Sequence, residues 1–201
     1  PNENVFSSAI QVQINEKTFE ATYSISKDSE IQIVNFFKAS HDQGAIFTSS
    51  AVFKKSVFEK VGNFDKALKT DEDTDLWIRI GLQFPIVFSW KIGSKYNFDA
   101  KGLSKGKVNF SEKTAFSKYL EIEKSNSELK KFLTIHRFSM ALKCKIAGEN
   151  ENFKRFYGLL NLEELSKKQQ ILIKFPAFIL RLLFKSKLVL ERFDIRLSAF
   201  K

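Results

Sequence analysis

The sequence predicts an α/β domain followed by an α-helical extension, on three observations. Over residues 1–110, short β-branched and aromatic runs alternate with helix-start and turn signals. Beyond residue 110, apolar residues recur every three or four positions, as on helices that bury one face. The charge changes at the same place: residues 1–110 hold 14 Lys and Arg against 13 Asp and Glu, and residues 111–201 hold 19 against 10. The expected division is therefore a nearly neutral domain over 1–110 and a basic helical extension over 111–201. A chain of 201 residues, 43% hydrophobic and 14% aromatic, has the means to fold around a real core.

In chain order, Val5 to Ile14 reads as a strand, Asn15-Glu16-Lys17 as a turn and Thr18 to Ile25 as a second strand, together a hairpin. Residues 29–40 predict a short helix capped by Ser29, with Ile31, Ile33, Val34, Phe36 and Phe37 as its apolar positions. His41 lies in the loop that follows, where it is a candidate ligand or acceptor-site residue or simply a solvated side chain. Gly44 to Lys54 reads as a buried strand, and Ser56 to Glu59 has the spacing of a capping box for a helix that Gly62 ends. Asp71 to Asp75 open a further helix running to Pro85, with Leu76, Ile80 and Gln83 on one side together with Asp73. Ile86 to Trp90, followed by Ile92 and Tyr96, reads as an edge strand and a loop. The loop Lys101 to Lys107, with its Gly and Lys residues, suits either a cationic lid over a diphosphate or a solvated connection.

The extension predicts helices over 115–122, 129–147 and 153–160, the second closed by Gly148. Ile171 to Phe184 is strongly apolar, but Pro176 interrupts it and it falls short of the roughly 18 to 20 residues that span a bilayer. Bordered by Lys167, Lys168, Arg181, Lys185, Lys187, Arg192 and Arg196, it suits a helix lying in an anionic membrane interface; the alternative is a core helix packed back on the domain. Nucleic acid is not an expected partner, because the cations share their faces with bulky aliphatics and no nucleic-acid motif is present. A single cysteine, Cys144, excludes an intrachain disulfide and a thiolate metal cage and fits a reducing compartment; its apolar surroundings predict burial. The start at Pro1, without a signal or transit peptide, reads as the beginning of a fragment.

The chemistry concentrates in Thr70-Asp-Glu-Asp-Thr-Asp-Leu-Trp-Ile-Arg-Ile80, which sets four carboxylates against an apolar helical face. In a first helical turn, acids are favoured by the exposed N–H groups, so capping explains some of them. Trp77 reads as a core aromatic, and Arg79 either pairs with one of the acids or extends into solvent.

The order of motifs around these acids resembles family 2 glycosyltransferases of the GT-A fold. The resemblance runs through Gly44, Thr48-Ser49-Ser50, Lys54-Lys55-Ser56, Val61-Gly-Asn-Phe-Asp65 and Glu72-Asp-Thr-Asp-Leu-Trp-Ile-Arg79, within residues 44–105. It implies a partial, Rossmann-like GT-A domain transferring sugar with inversion from a nucleotide-sugar donor to a glycan or lipid-linked acceptor, in the synthesis of cell-surface polysaccharide. In that setting Asp73 is the catalytic base and Glu72 orients it or binds the acceptor. Asp71, Asp75, Trp77, Arg79, Ser49, Ser50 and His41 are the candidate acceptor or substrate contacts. The family's divalent cation, Mg2+ or Mn2+, is held by an Asp-x-Asp element in a nucleotide-binding N-terminal half, for which this chain has no counterpart. Asp71-Glu72-Asp73 and Asp73-Thr74-Asp75 belong to the base motif and are not assigned to the metal. Where relatives show Tyr-Arg and then His, this chain has Tyr96-Asn97 and no His in that stretch, leaving Asp99 as a substitute metal or phosphate-loop contact. The resemblance therefore implies a fragment inactive by itself, cytoplasmic and peripheral to the inner face of the cell membrane. The competing reading is a non-catalytic basic helical module that binds an anionic membrane or a protein partner.

Overall fold

The computed structural model describes residues 3–14, 16–98 and 108–192. The chain is mixed α/β, 48% helix against 19% strand, with a curled mixed sheet and a helical C-terminal region that supplies most of the helix. It divides into two compact units, residues 1–114 and 115–201.

The first unit is built on β1 (Val5–Ile14), a strand with buried residues along its first half. On one edge β1 pairs in parallel with β5 (Ile86–Phe98); on the other it pairs antiparallel with β2 (Lys17–Glu20) and with β4 (Ala51–Phe53). β3 (Ile31–Val34) runs antiparallel to β5 and ends the sheet, so β5 lies between two others as an inner strand and not the edge strand expected of it. The β1–β5 register shifts between Ser8, Ala9 and Ile10. A Cβ on Gly93 would lie 1.9 Å from Ser8 Oγ and 3.0 Å from Ser8 Cβ, so a larger residue there has to displace the Ser8 side chain. The predicted hairpin is present, with a second strand shorter than expected.

Two other predicted elements differ. Residues 29–40 are not one helix: Ile31–Val34 is β3, and only Phe36–Ala39 is helical (α1), capped by Asn35, whose Oδ1 accepts from Lys38 N at 3.0 Å. Ser29 is not a cap, since its Oγ donates to Ile31 O. Residues 44–54 are not one strand either: Thr48–Ser50 forms a 3-10 turn, closed by Ser50 N donating to Phe47 O at 2.8 Å, and only Ala51–Phe53 pairs. The helix α2 (Lys55–Val61) starts at Lys55 without a side-chain cap, so the predicted capping box does not form, but Gly62 ends it at φ +80°.

One face of the sheet carries buried Val5, Ile86, Phe88 and Val34 and half-buried Phe53, and Phe36, Phe37 and the helix α3 (Glu72–Gln83) add the buried residues packed with them. Trp77 of α3 stacks on Phe53 with ring centroids 5.4 Å apart, fixing the helix over this face. The α3 residues that are buried are Asp75, Leu76, Trp77, Ile78 and Ile80, whereas Asp73 and Gln83 are exposed. On the opposite face Val52, Phe6, Val87 and Ile33 stand in one row across the strands, and Val52 and Ile33 are 67% and 62% exposed.

The second unit forms around α5 (Ser127–Ala147). Asn126 caps its start by accepting from Leu129 N at 3.0 Å, and Gly148 closes it in the left-handed conformation. A 3-10 turn at Ser117–Tyr119 leads into α4 (Leu120–Glu123); after α5 come α6 (Asn150–Tyr157), α7 (Lys167–Lys174) and α8 (Ala177–Arg192). Ser166 and Gln169 make a capping box for α7, and Pro176 separates α7 from α8. Leu129, Leu133, Phe138, Ala141, Phe156, Ile173 and Leu180 fill the core. Arg137 is buried among them with its guanidinium satisfied: it donates to Glu123 at 2.8 and 2.6 Å and to Ala115 O at 2.8 Å. Cys144 is buried and free, and desolvation pushes its thiol up to about 11. Among the described residues no helix is long and apolar enough to cross a membrane.

Candidate functional site

The acids at the start of α3 are not equivalent. Asp71 occupies the N-cap position at φ 63° and ψ 16°, a left-handed conformation that Asp tolerates better than most residues. Its side chain makes no cap bond. Instead Oδ1 accepts from Lys113 Nζ at 2.7 Å and Oδ2 from the backbone N of Thr114 at 3.0 Å. Thr70 Oγ1 donates to Glu112 O at 3.0 Å and Lys69 Nζ meets Glu112 at 3.2 Å, so residues 112–114 strap the entrance of the helix. Asp75 is 0% exposed and accepts from Arg79 Nε at 3.0 Å. The same guanidinium donates to the backbone oxygens of Val61 and Asn63, tying α3 to the end of α2.

With Asp71 and Asp75 each held by a cation, Glu72 and Asp73 are the acids that face outward. Glu72 is half-buried. Asp73 is exposed; its Oδ1 accepts from Thr74 N at 2.6 Å and from Thr74 Oγ1 at 3.2 Å, and its Oδ2 accepts no hydrogen bond among the described residues. One carboxylate oxygen is thus steered by the helix start while the other is open.

The other predicted residues fall as follows. Trp77 is buried between Phe53 and Phe64 as a packing group. Arg79 is a clamp on Asp75 and α2. Ser49 is exposed in the 3-10 turn before β4, and Ser50 Oγ donates to Phe47 O at 3.3 Å. His41 is half-buried, its backbone N donating to Ser24 Oγ at 2.8 Å. Asp99 and the loop Lys101 to Lys107 lie outside the described residues. Lys113 and Thr114 are the participants that sequence reasoning misses. They stand 42 and 43 residues from Asp71, and nothing in their local pattern marks them.

The described residues do not fit a divalent cation. They contain no group of three or more His, Cys, Asp or Glu placed to hold one. The Lys113 ammonium and the Arg79 guanidinium already neutralise two of the four carboxylates in the only Asp-x-Asp stretches of the described chain.

No protein-family model, curated protein sequence or solved structure matches the chain.

Proposed function

We propose that this chain carries the acceptor side of an inverting, family 2-like glycosyltransferase of the GT-A kind. It would serve transfer from a nucleotide sugar to a glycan or lipid-linked acceptor at the cytoplasmic side of the cell membrane, in building surface polysaccharide. The observation that supports this reading is the sorting of the acids. Two are locked into the scaffold, and Asp73 is left exposed on the first turn of a helix whose next turns are buried.

A base for this reaction must sit on a rigid element with an oxygen open to the acceptor hydroxyl. The acceptor oxygen attacks the anomeric carbon as the bond to the nucleotide's phosphate oxygen breaks. The hydroxyl proton passes to Asp73 Oδ2, and the leaving nucleotide takes the electron pair of the broken bond. Glu72, one position earlier, orients the acceptor. Trp77 and Arg79 act beneath the site, holding α3 to Phe53 and to the end of α2.

The test is transfer and hydrolysis of nucleotide sugars by the full-length protein, comparing wild type with Asp73→Asn. The expected result is a loss of roughly 10^2- to 10^4-fold in turnover with donor binding retained. Equal turnover in both proteins removes Asp73 as the base, and a full-length protein that binds no nucleotide sugar removes the transferase reading.

A further inference from the structure

The outer face of α7 and α8 has no part in the chemistry above. The two helices are fastened to the last turn of α5 by buried Ile173 and Leu180, by Lys145 Nζ donating to Ile173 O at 2.8 Å, and by Arg181 Nε donating to Ile146 O at 2.8 Å. A helix turns 100° per residue, so side chains two positions from a buried one point nearly away from it. Ile171 stands two before Ile173, and Phe178 and Leu182 stand two before and two after Leu180. All three are turned outward, 56%, 68% and 64% exposed. Leu183 and Phe184 add further exposed apolar surface beside them. Lone exposed leucines are ordinary on a folded protein, but a run of large apolar side chains on one fastened element marks a surface that meets something.

The charge says what it meets. From Ser166 to Leu190 the sequence has six Lys and Arg and no Asp or Glu. Lys167, Lys168, Lys174 and Lys185 are exposed. A protein partner's surface carries both signs of charge, whereas an anionic bilayer offers one sign over an apolar layer, which is the complement of this face. Among the described residues no helix is long and apolar enough to cross a membrane, and the exposed apolar side chains run along α7 and α8, which suits contact along a surface. We propose that α7 and α8 seat the helical unit on an anionic lipid surface, Ile171, Phe178 and Leu182 entering the acyl boundary while the four lysines meet lipid phosphates. This inference is independent of sugar transfer, for neither its residues nor its readout involve Asp73.

The experiment is co-sedimentation of the 201-residue chain with vesicles of phosphatidylcholine, with and without phosphatidylglycerol, at low and high salt. Wild type, Phe178→Ser/Leu182→Ser and Lys167→Ala/Lys168→Ala are compared, each checked for unchanged helix content by circular dichroism. The expected result is binding that requires phosphatidylglycerol. It weakens by about fivefold per lysine removed and by about tenfold or more in the Phe178→Ser/Leu182→Ser protein. The inference is overturned if wild type does not bind the anionic vesicles. It is equally overturned if salt abolishes binding while the apolar variant binds as wild type does, which is phosphate attraction alone. A wild-type chain that runs at twice its 23.2 kDa, and at single mass in the apolar variant, also overturns it by making this face a contact between copies.

Discussion

Removing Arg79 strands Asp75, a fully buried carboxylate whose charge the guanidinium offsets at 3.0 Å. Breaking such a pair costs about 3–5 kcal/mol, mostly the desolvation of the charge left behind. Arg79→Ala is therefore expected to lower the urea midpoint sharply, and Arg79→Ala/Asp75→Ala to lower it by less than the sum of the single changes. Additive losses in that cycle would mean the two side chains stabilise the helix separately. The sequence placed Arg79 among acids and allowed that it pairs with one of them. It offered nothing to choose the acid, because the choice depends on where the ends of α2 bring the carbonyls of Val61 and Asn63. Asp71 was still less legible: its partners Lys113 and Thr114 reach it across the whole of β5.

At the scale of elements, those that were legible carry local signals. Gly148 ends α5 with cap bonds made within a turn, and Pro85 and Pro176 stop helices because they bring no N–H to the ladder. β3 was misread because Ile31, Ile33, Val34, Phe36 and Phe37 satisfy a period of two in their first half and of three to four in their second. Pairing with β5 decides the matter, and that partner lies more than fifty residues on. The exposed Ile31 and Ile33 make β3 a bare apolar strand at the end of the sheet. Such strands template aggregation, so Ile33→Lys is expected to raise the soluble fraction of the chain after concentration, read by light scattering, without loss of strand signal. On α5 the buried Cys144 thiol, pushed up to about 11, stays protonated at pH 8 and is expected to react with a thiol reagent only after unfolding. The shift also fixes a pH dependence. The unfolded thiol ionises near its ordinary value of 9.0 and the folded one later, so its contribution to stability is whole below pH 9 and is lost as pH rises towards 11.

For the molecule as a whole, the two units have separate cores and each keeps its own buried ion pair, Arg79 with Asp75 in the first and Arg137 with Glu123 in the second. Arg137→Met leaves Glu123 buried without its partner and is expected to cost the second unit about 3–5 kcal/mol. Hydrogen exchange should show protection falling through α5 and α6 while β1 and β5 keep theirs; a uniform fall through both units would show them to be one cooperative body. The ladder at the centre of the first unit has a consequence for how the protein is made. Phe6 lies opposite Val87, so the β1–β5 pairing joins residues 81 apart in sequence. At about 5–20 residues per second, a ribosome that has released β1 takes on the order of 4–16 seconds to deliver its partner. Through that interval β1 has only β2 and β4 to pair with, and its buried residues Val5, Ala9 and Ile10 stand open. The nascent sheet therefore stays incomplete until β5 emerges, whereas α5 and α6 are separated by only a few residues and can pair as they emerge.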